Sequence, residues 1–174
     1  MSELRKATTD DAYFVTFTIV GWIDIFTRKK YCTTILESWQ FCRERKGLKV
    51  FEYVIMPSHI HAIMQAENLS DVIRDFKAFT AKAIIKQIQE NEQESRKDWL
   101  LHLFRYHAKY QKQNEEFQFW QKTNHPIILD NAEIFQQKAN YIWQNPVVAG
   151  YVTDAESWRY SSACKDGYFK VDES

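Results

Sequence analysis

A chain of 174 residues, 45% hydrophobic and 16% aromatic, has the length for one domain with a sizeable core, and a single domain over residues 1–174 is expected. These proportions exclude a disordered chain. Lys plus Arg (23) equals Asp plus Glu (23), so no overall basic excess announces a nucleic-acid partner, and any such partner requires locally sorted charge.

The three cysteines, Cys32, Cys42 and Cys164, are odd in number and lack C-x-x-C spacing, which fits free thiols in a reducing compartment. The opening Met-Ser-Glu-Leu-Arg-Lys lacks the apolar core of a signal peptide. No apolar run approaches the roughly 20 residues that span a bilayer. A soluble, cytoplasmic protein with no membrane partner is expected.

Residues 13–22, rich in aromatic and β-branched side chains, predict a first strand. From Lys29 to Lys46, Tyr31, Ile35, Leu36, Trp39 and Cys42 recur at helical spacing, and Gly47 supplies a stop. Residues 48–56 and 59–65 read as two strands of a hairpin, joined by Pro57-Ser58. A long helix opens at Leu69-Ser70-Asp71, with Ser70 the expected N-cap and Val72, Phe76, Phe79, Ala83 and Ile84 the apolar stripe. Residues 90–96 read as a solvated loop. A further helix is expected from Asp98 to about Tyr110, then a β-like segment with Phe117, Phe119 and Trp120, and an extended stretch at 126–129. The last strong helix is predicted over residues 131–144, stopped by Asn145-Pro146. An aromatic tail (Trp158, Tyr160, Tyr168) is expected to pack over the sheet. The order βαββα, then αβα, points to the α+β class: a ferredoxin-like antiparallel sheet with helices packed on one face.

Chemistry concentrates in residues 56–61, Met-Pro-Ser-His-Ile-His. Alternate strand residues share a face, so His59 and His61 point the same way and Ile60 the opposite way. Two neutral imidazoles side by side hold a divalent cation and leave coordination positions open for substrate. Two histidines hydrogen-bonded beside a core would look the same from the dyad alone. On the last helix, Tyr141 lies about 100° around from the core residue Ile142, and Asn145 stands one turn beyond Tyr141 on its side. That helix therefore offers a phenol and an amide together, although packing and a helix stop account for each residue singly.

A Met-Pro-x-His-hydrophobe-His strand at 56–61, followed by Tyr-Ile-x-x-Asn-Pro-Val-x-x-Gly at 141–150, resembles the single-tyrosine transposases of the HUH endonuclease superfamily. Within it, the resemblance points to the REP-associated tyrosine transposases, which are similar to the transposases of small bacterial insertion sequences. The strand at 13–18, Lys-Ala-Phe-Thr at 77–80, Phe-Trp-Gln at 119–121 and Trp-Arg-Tyr-Ser-Ser at 158–162 agree with it. It covers residues 13–162, so the domain is expected to be a transposase-like catalytic domain.

The resemblance implies that His59 and His61 hold a Mg²⁺ or Mn²⁺ ion against the scissile phosphate of single-stranded DNA. It makes Tyr141 the nucleophile, forming a 5′-phosphotyrosine link and freeing a 3′-hydroxyl. Such covalent catalysis keeps the phosphodiester energy in the link, so rejoining needs no ATP. A free tyrosine ionises near about pH 10, which is a reason for metal and nucleophile to share a site. In the insertion-sequence branch a glutamine one turn beyond the tyrosine completes the metal set. Asn145 takes that place here, where its shorter amide either ligates metal or caps the helix.

Candidate DNA contacts are Arg28, Lys30, Lys77, Lys82 and Lys86, with Arg105 and Lys109 as a further group, and Trp120 or Tyr106 for base stacking. The partner implied is single-stranded or hairpin DNA, with monomer and homodimer both open. Two rivals remain. One is a non-covalent metal-dependent phosphoesterase that uses metal-bound water, for which Tyr141 is dispensable. The other is a catalytically silent hairpin-DNA-binding module.

Overall fold

The computed structural model describes residues 11–109 and 116–173. The opening Met-Ser-Glu-Leu-Arg-Lys segment and the expected helix end at Tyr110 lie outside these. Four strands, β1 (Tyr13–Thr18), β2 (Lys49–Ile55), β3 (His59–Gln65) and β4 (Ile127–Ile128), form one antiparallel sheet in the order β2-β3-β1-β4. The helices are α1 (Lys29–Lys46), α2 (Leu69–Glu90), α3 (Lys97–Lys109) and α4 (Ala132–Val148). Strand order and the βαββαβ succession make the fold ferredoxin-like. No helix among the described residues is long and apolar enough to cross a membrane.

The sheet has two packed faces. Tyr13, Val15 and Phe17 of β1 and Ile60, Ala62 and Met64 of β3 join α1, α2 and α3 in the larger core. The alternate residues Phe14 and Ile63 join Ala139 and Ile142 of α4 in a second, smaller core. The expectation of helices on one face thus holds for α1–α3 and is corrected for α4, which covers the face that carries His59 and His61. A β-bulge turns two consecutive residues of β2 toward this helix. The β2–β3 register shifts between Val50 and Glu52, so Phe51 and Glu52 both face α4. Phe51 packs edge-on against Phe135, and Glu52 accepts a 2.7 Å hydrogen bond from Trp143 Nε1.

Two local expectations are corrected, and a third is extended, since Tyr160 and Trp158 pack against the two cores as expected. The N-cap of α2 is Asn68, and Ser70 falls in the first turn because the buried Leu69 already begins the helix. The last helix continues through Pro146 to Val148. Pro146 has no N–H to give the Ile142 carbonyl and its ring crowds it, but it lies in the final turn, where Ala149 N–H still reaches the Asn145 carbonyl. The aromatic tail runs along the edge of β2: Ile55 N–H donates to Tyr160 O, and Ser162 N–H to Tyr53 O. That edge is thereby covered, as exposed sheet edges must be.

The loop at 90–96 carries one buried acid. Glu94 is 4% exposed and joins the start of α1 to the start of α3. It accepts from Tyr31 Oη (3.3 Å), Arg28 Nε (3.4 Å) and Arg96 Nε (3.5 Å). Burial pulls its carboxyl up, but the bonds from Arg28 and the Arg96 backbone, with both guanidinium charges, bring it below the ordinary glutamate range. A depressed carboxylate contributes stability above the unfolded pKa and loses it as pH falls through the folded one. Glu94→Gln is therefore expected to flatten the acid side of the stability profile below about pH 4.5. Urea melts of both proteins between pH 3 and 7 check this, and parallel profiles would refute it.

Candidate active site

Alternation on β3 sends both histidines to the α4 face, and β1 supplies their surroundings. Cross-strand register pairs Thr16 with His61 and Thr18 with His59. Thr16 Oγ1 lies 2.9 Å from His61 Nδ1, and Ser58 Oγ lies 3.3 Å from His59 Nδ1. Both Nδ1 atoms are thus engaged by hydroxyls, leaving Nε2 as the remaining nitrogen of each ring. The two rings meet at 4.9 Å, and Phe14 stacks on His61 at 5.4 Å and 20°.

Tyr141 enters from α4. Its Oη lies 3.5 Å from His61 Nε2, and its ring stands 5.2 Å from the imidazole and edge-on to Phe14. The side chain is 50% exposed, so the phenol faces the dyad and solvent together. Lys138, one turn before it, places Nζ 5.0 Å from the Phe14 ring and 6.0 Å from the Tyr141 ring. Asn145, one turn after, lies beside His59 and favours its protonated form. Because α4 continues past Pro146, Asn145 stays helical and keeps to the Tyr141 side, and the C-cap position falls to Ala149.

Electrostatics keep the dyad neutral. Burial pushes the His61 imidazole down to about 3, with His59 and Lys138 adding to the shift. Burial also lowers His59, opposed by the neighbouring Asn145. Neutral imidazoles are the form that binds metal. Two such nitrogens and a neighbouring amide oxygen make a donor set that suits Mn²⁺ and accommodates Mg²⁺ if water and phosphate oxygens complete it. No group of three or more His, Cys, Asp or Glu residues suited to a metal occurs among the described residues.

The sequence model of the family described as "Transposase IS200 like" matches residues 23–117, more than half of the chain and including both histidines. The chain belongs to the IS200-like transposase family. A solved structure described as a REP-associated tyrosine transposase bound to a REP hairpin shares its fold. The TM-score is 0.64 at 18% identity, over 93% of this chain and 82% of that one. No curated protein matches. The family match ends before Tyr141, so the tyrosine's part in this IS200-like member rests on geometry.

Other expected contacts are distributed differently in this family member. Arg28 turns Nε to the buried Glu94 at 3.4 Å while its side chain stays half-exposed. Lys77 turns inward, donating to Gln121 O (2.6 Å), Asn124 Oδ1 (2.8 Å) and Lys122 O (3.4 Å). Burial pushes its ammonium down to about 8, so it remains charged at neutral pH and clamps the segment beside β1. Lys82 and Lys86 are exposed, but α2 packs on the face opposite the dyad. Lys30 is exposed, and Arg105 pairs with Glu116 at 3.2 Å. Trp120 is core, its Nε1 donating to Thr80 Oγ1 at 3.0 Å.

Thr16, Ser58, Phe14, Lys138 and Trp22 escape sequence reasoning. Only the period-2 pattern of β1, with polar Thr16 and Thr18 among apolar residues, signals any of them. Thr16→Val is expected to weaken Mn²⁺ affinity by about 10- to 100-fold, because the hydroxyl orients the His61 ring. A Mn²⁺ titration followed by electron paramagnetic resonance checks this, and unchanged affinity would reduce Thr16 to packing.

A 3-10 turn, Val20–Trp22, closes the site beside His59. Gly21 and Trp22 both have left-handed φ, +63° and +55°. A bulky residue there costs about 1–3 kcal/mol. The His107 ring of α3 packs over Gly21, with Nε2 only 2.7 Å from where a Cβ would sit. Gly21→Ala is expected to destabilise by about 1–2 kcal/mol, mainly through its φ, since the ring can swing away. Equilibrium urea unfolding measures it, and a change below a few tenths would mean that the turn relaxes freely.

Proposed function

We propose that this transposase cleaves and rejoins single-stranded DNA, at hairpin ends, through a covalent link to Tyr141. The observation that carries the reading is the 3.5 Å approach of Tyr141 Oη to His61 Nε2, with the phenol half-exposed beside a neutral histidine pair. The phenolic oxygen forms the new bond to phosphorus and releases its proton to solvent. The P–O3′ bond breaks, and the departing 3′-oxygen takes up a proton. The products are a 5′-phosphotyrosine and a free 3′-hydroxyl. Attack of a 3′-hydroxyl on that link restores the phenol and the phosphodiester. A Mg²⁺ or Mn²⁺ ion held by His59, His61 and Asn145 would polarise the phosphate oxygens.

The dyad and the tyrosine meet within one chain, which supports a site completed in cis. Of the expected basic contacts, Arg28, Lys30, Lys82, Lys86 and Lys109 reach solvent, Lys86 beside Glu90 at 3.7 Å, and these are the candidates for DNA beyond the reacting phosphate. The testing experiment incubates the protein with Mg²⁺ or Mn²⁺ and end-labelled hairpin oligonucleotides taken from the DNA flanking its gene. A denaturing gel is expected to show a protease-sensitive adduct on the 3′ fragment alone. Cleavage without an adduct would replace this mechanism with a water-based metal phosphoesterase. Binding without cleavage would leave a hairpin-binding module.

A further inference from the structure

We propose that Trp22 is the stacking platform for one DNA base, that of the nucleotide on the 5′ side of the scissile phosphate. The inference rests on the covalent reading above. Trp22 is 60% exposed, so core packing does not explain an indole at this place. Its backbone holds a left-handed conformation that a large side chain rarely adopts, and such strain gathers at functional sites. The turn is braced from several sides. Ile19 N–H donates to Ser58 O, Val20 N–H to Phe119 O and Trp22 N–H to Ile19 O, while His107 covers Gly21.

Position decides which base. Ring contacts run in sequence from Tyr141 to His61 (5.2 Å), His61 to His59 (4.9 Å) and His59 to Trp22 (5.4 Å, 70°). The nucleophile stands at one end of this row and the indole at the other. In-line displacement puts the departing 3′-oxygen opposite the attacking phenol, and so toward Trp22. The nucleotide that carries this oxygen is the one whose base reaches the indole.

The test begins by mapping the cleaved phosphate from the wild-type adduct on hairpin oligonucleotides flanking the gene. Affinities are then measured in EDTA by fluorescence anisotropy, with the intact oligonucleotide and with one abasic at the 5′-flanking position. Wild type is expected to lose on the order of 10-fold on the abasic DNA, with little dependence on salt. Trp22→Gly is expected to lose the same on intact DNA, to lose nothing further on abasic DNA, and to melt no lower than wild type because glycine relieves the strain. Trp22→Phe is expected to keep most of the affinity. Equal binding of intact DNA by wild type and Trp22→Gly overturns the proposal, as does a Trp22→Gly deficit that the abasic site leaves unchanged. Absence of any wild-type adduct overturns the covalent reading itself, and the assignment of this base with it.

Discussion

Tyr141→Phe is expected to abolish the covalent adduct and to lower strand cleavage by on the order of 10³-fold or more, as removal of a nucleophile does. The variant keeps the ring contacts to His61 and Phe14 and loses only the long 3.5 Å approach of the hydroxyl. With the side chain half-exposed, the change in stability should stay within about 0.5 kcal/mol. For a chain of this length that is a shift in Tm of about 2 °C or less. Loss of activity at unchanged Tm separates chemistry from folding. Cleavage equal to wild type would sink the covalent reading, because metal-bound water has no use for this phenol.

His61→Ala is expected to act on both activity and stability. His61 is 7% exposed, stacks on Phe14 and engages the Thr16 hydroxyl. Its removal opens a cavity and leaves a polar partner unsatisfied, at a cost of about 2–4 kcal/mol. Mn²⁺ binding should disappear, and cleavage should fall at least about 10²-fold at saturating metal. Electron paramagnetic resonance reads the first effect, and chemical denaturation reads the loss of stability. Retained Mn²⁺ binding would remove the dyad from the metal site and return His61 to a role in packing. His59→Ala, at a half-buried position with the weaker 3.3 Å hydroxyl contact, should cost less stability.

Much of the arrangement is legible in local pattern. Period-2 alternation placed His59 and His61 on one face of a strand, and helical spacing put Tyr141 and Asn145 on one side of α4. Gly47 terminates α1 in a left-handed conformation, as its position after the apolar stripe implied. What escaped depends on partners distant in sequence. Thr16 meets His61 across 45 residues, and Glu94 gathers Arg28 and Tyr31 across more than 60. A sequence displays the charges of Arg28 and Lys77 but not the carboxylate and carbonyls that absorb them. The bulge at Phe51 is equally silent, since Val-Phe-Glu-Tyr-Val keeps a strand-like composition whichever residue is extra. Proline in a last helical turn is ambiguous by nature: it breaks a helix that has far to run and is tolerated by one about to end.

The docking of α4 on the dyad face has a consequence in time. Gln65 ends the strand with both histidines, and Tyr141 follows 76 residues later (141 − 65). At about 5–20 residues per second, a ribosome needs roughly 4–15 s to cover that interval. Throughout it the nascent chain holds the histidine pair without Tyr141, the nucleophile of the proposed mechanism. On the covalent reading, a polypeptide released anywhere in that stretch lacks the phenol that would cut, so unfinished copies carry no means of nicking the DNA that encodes them.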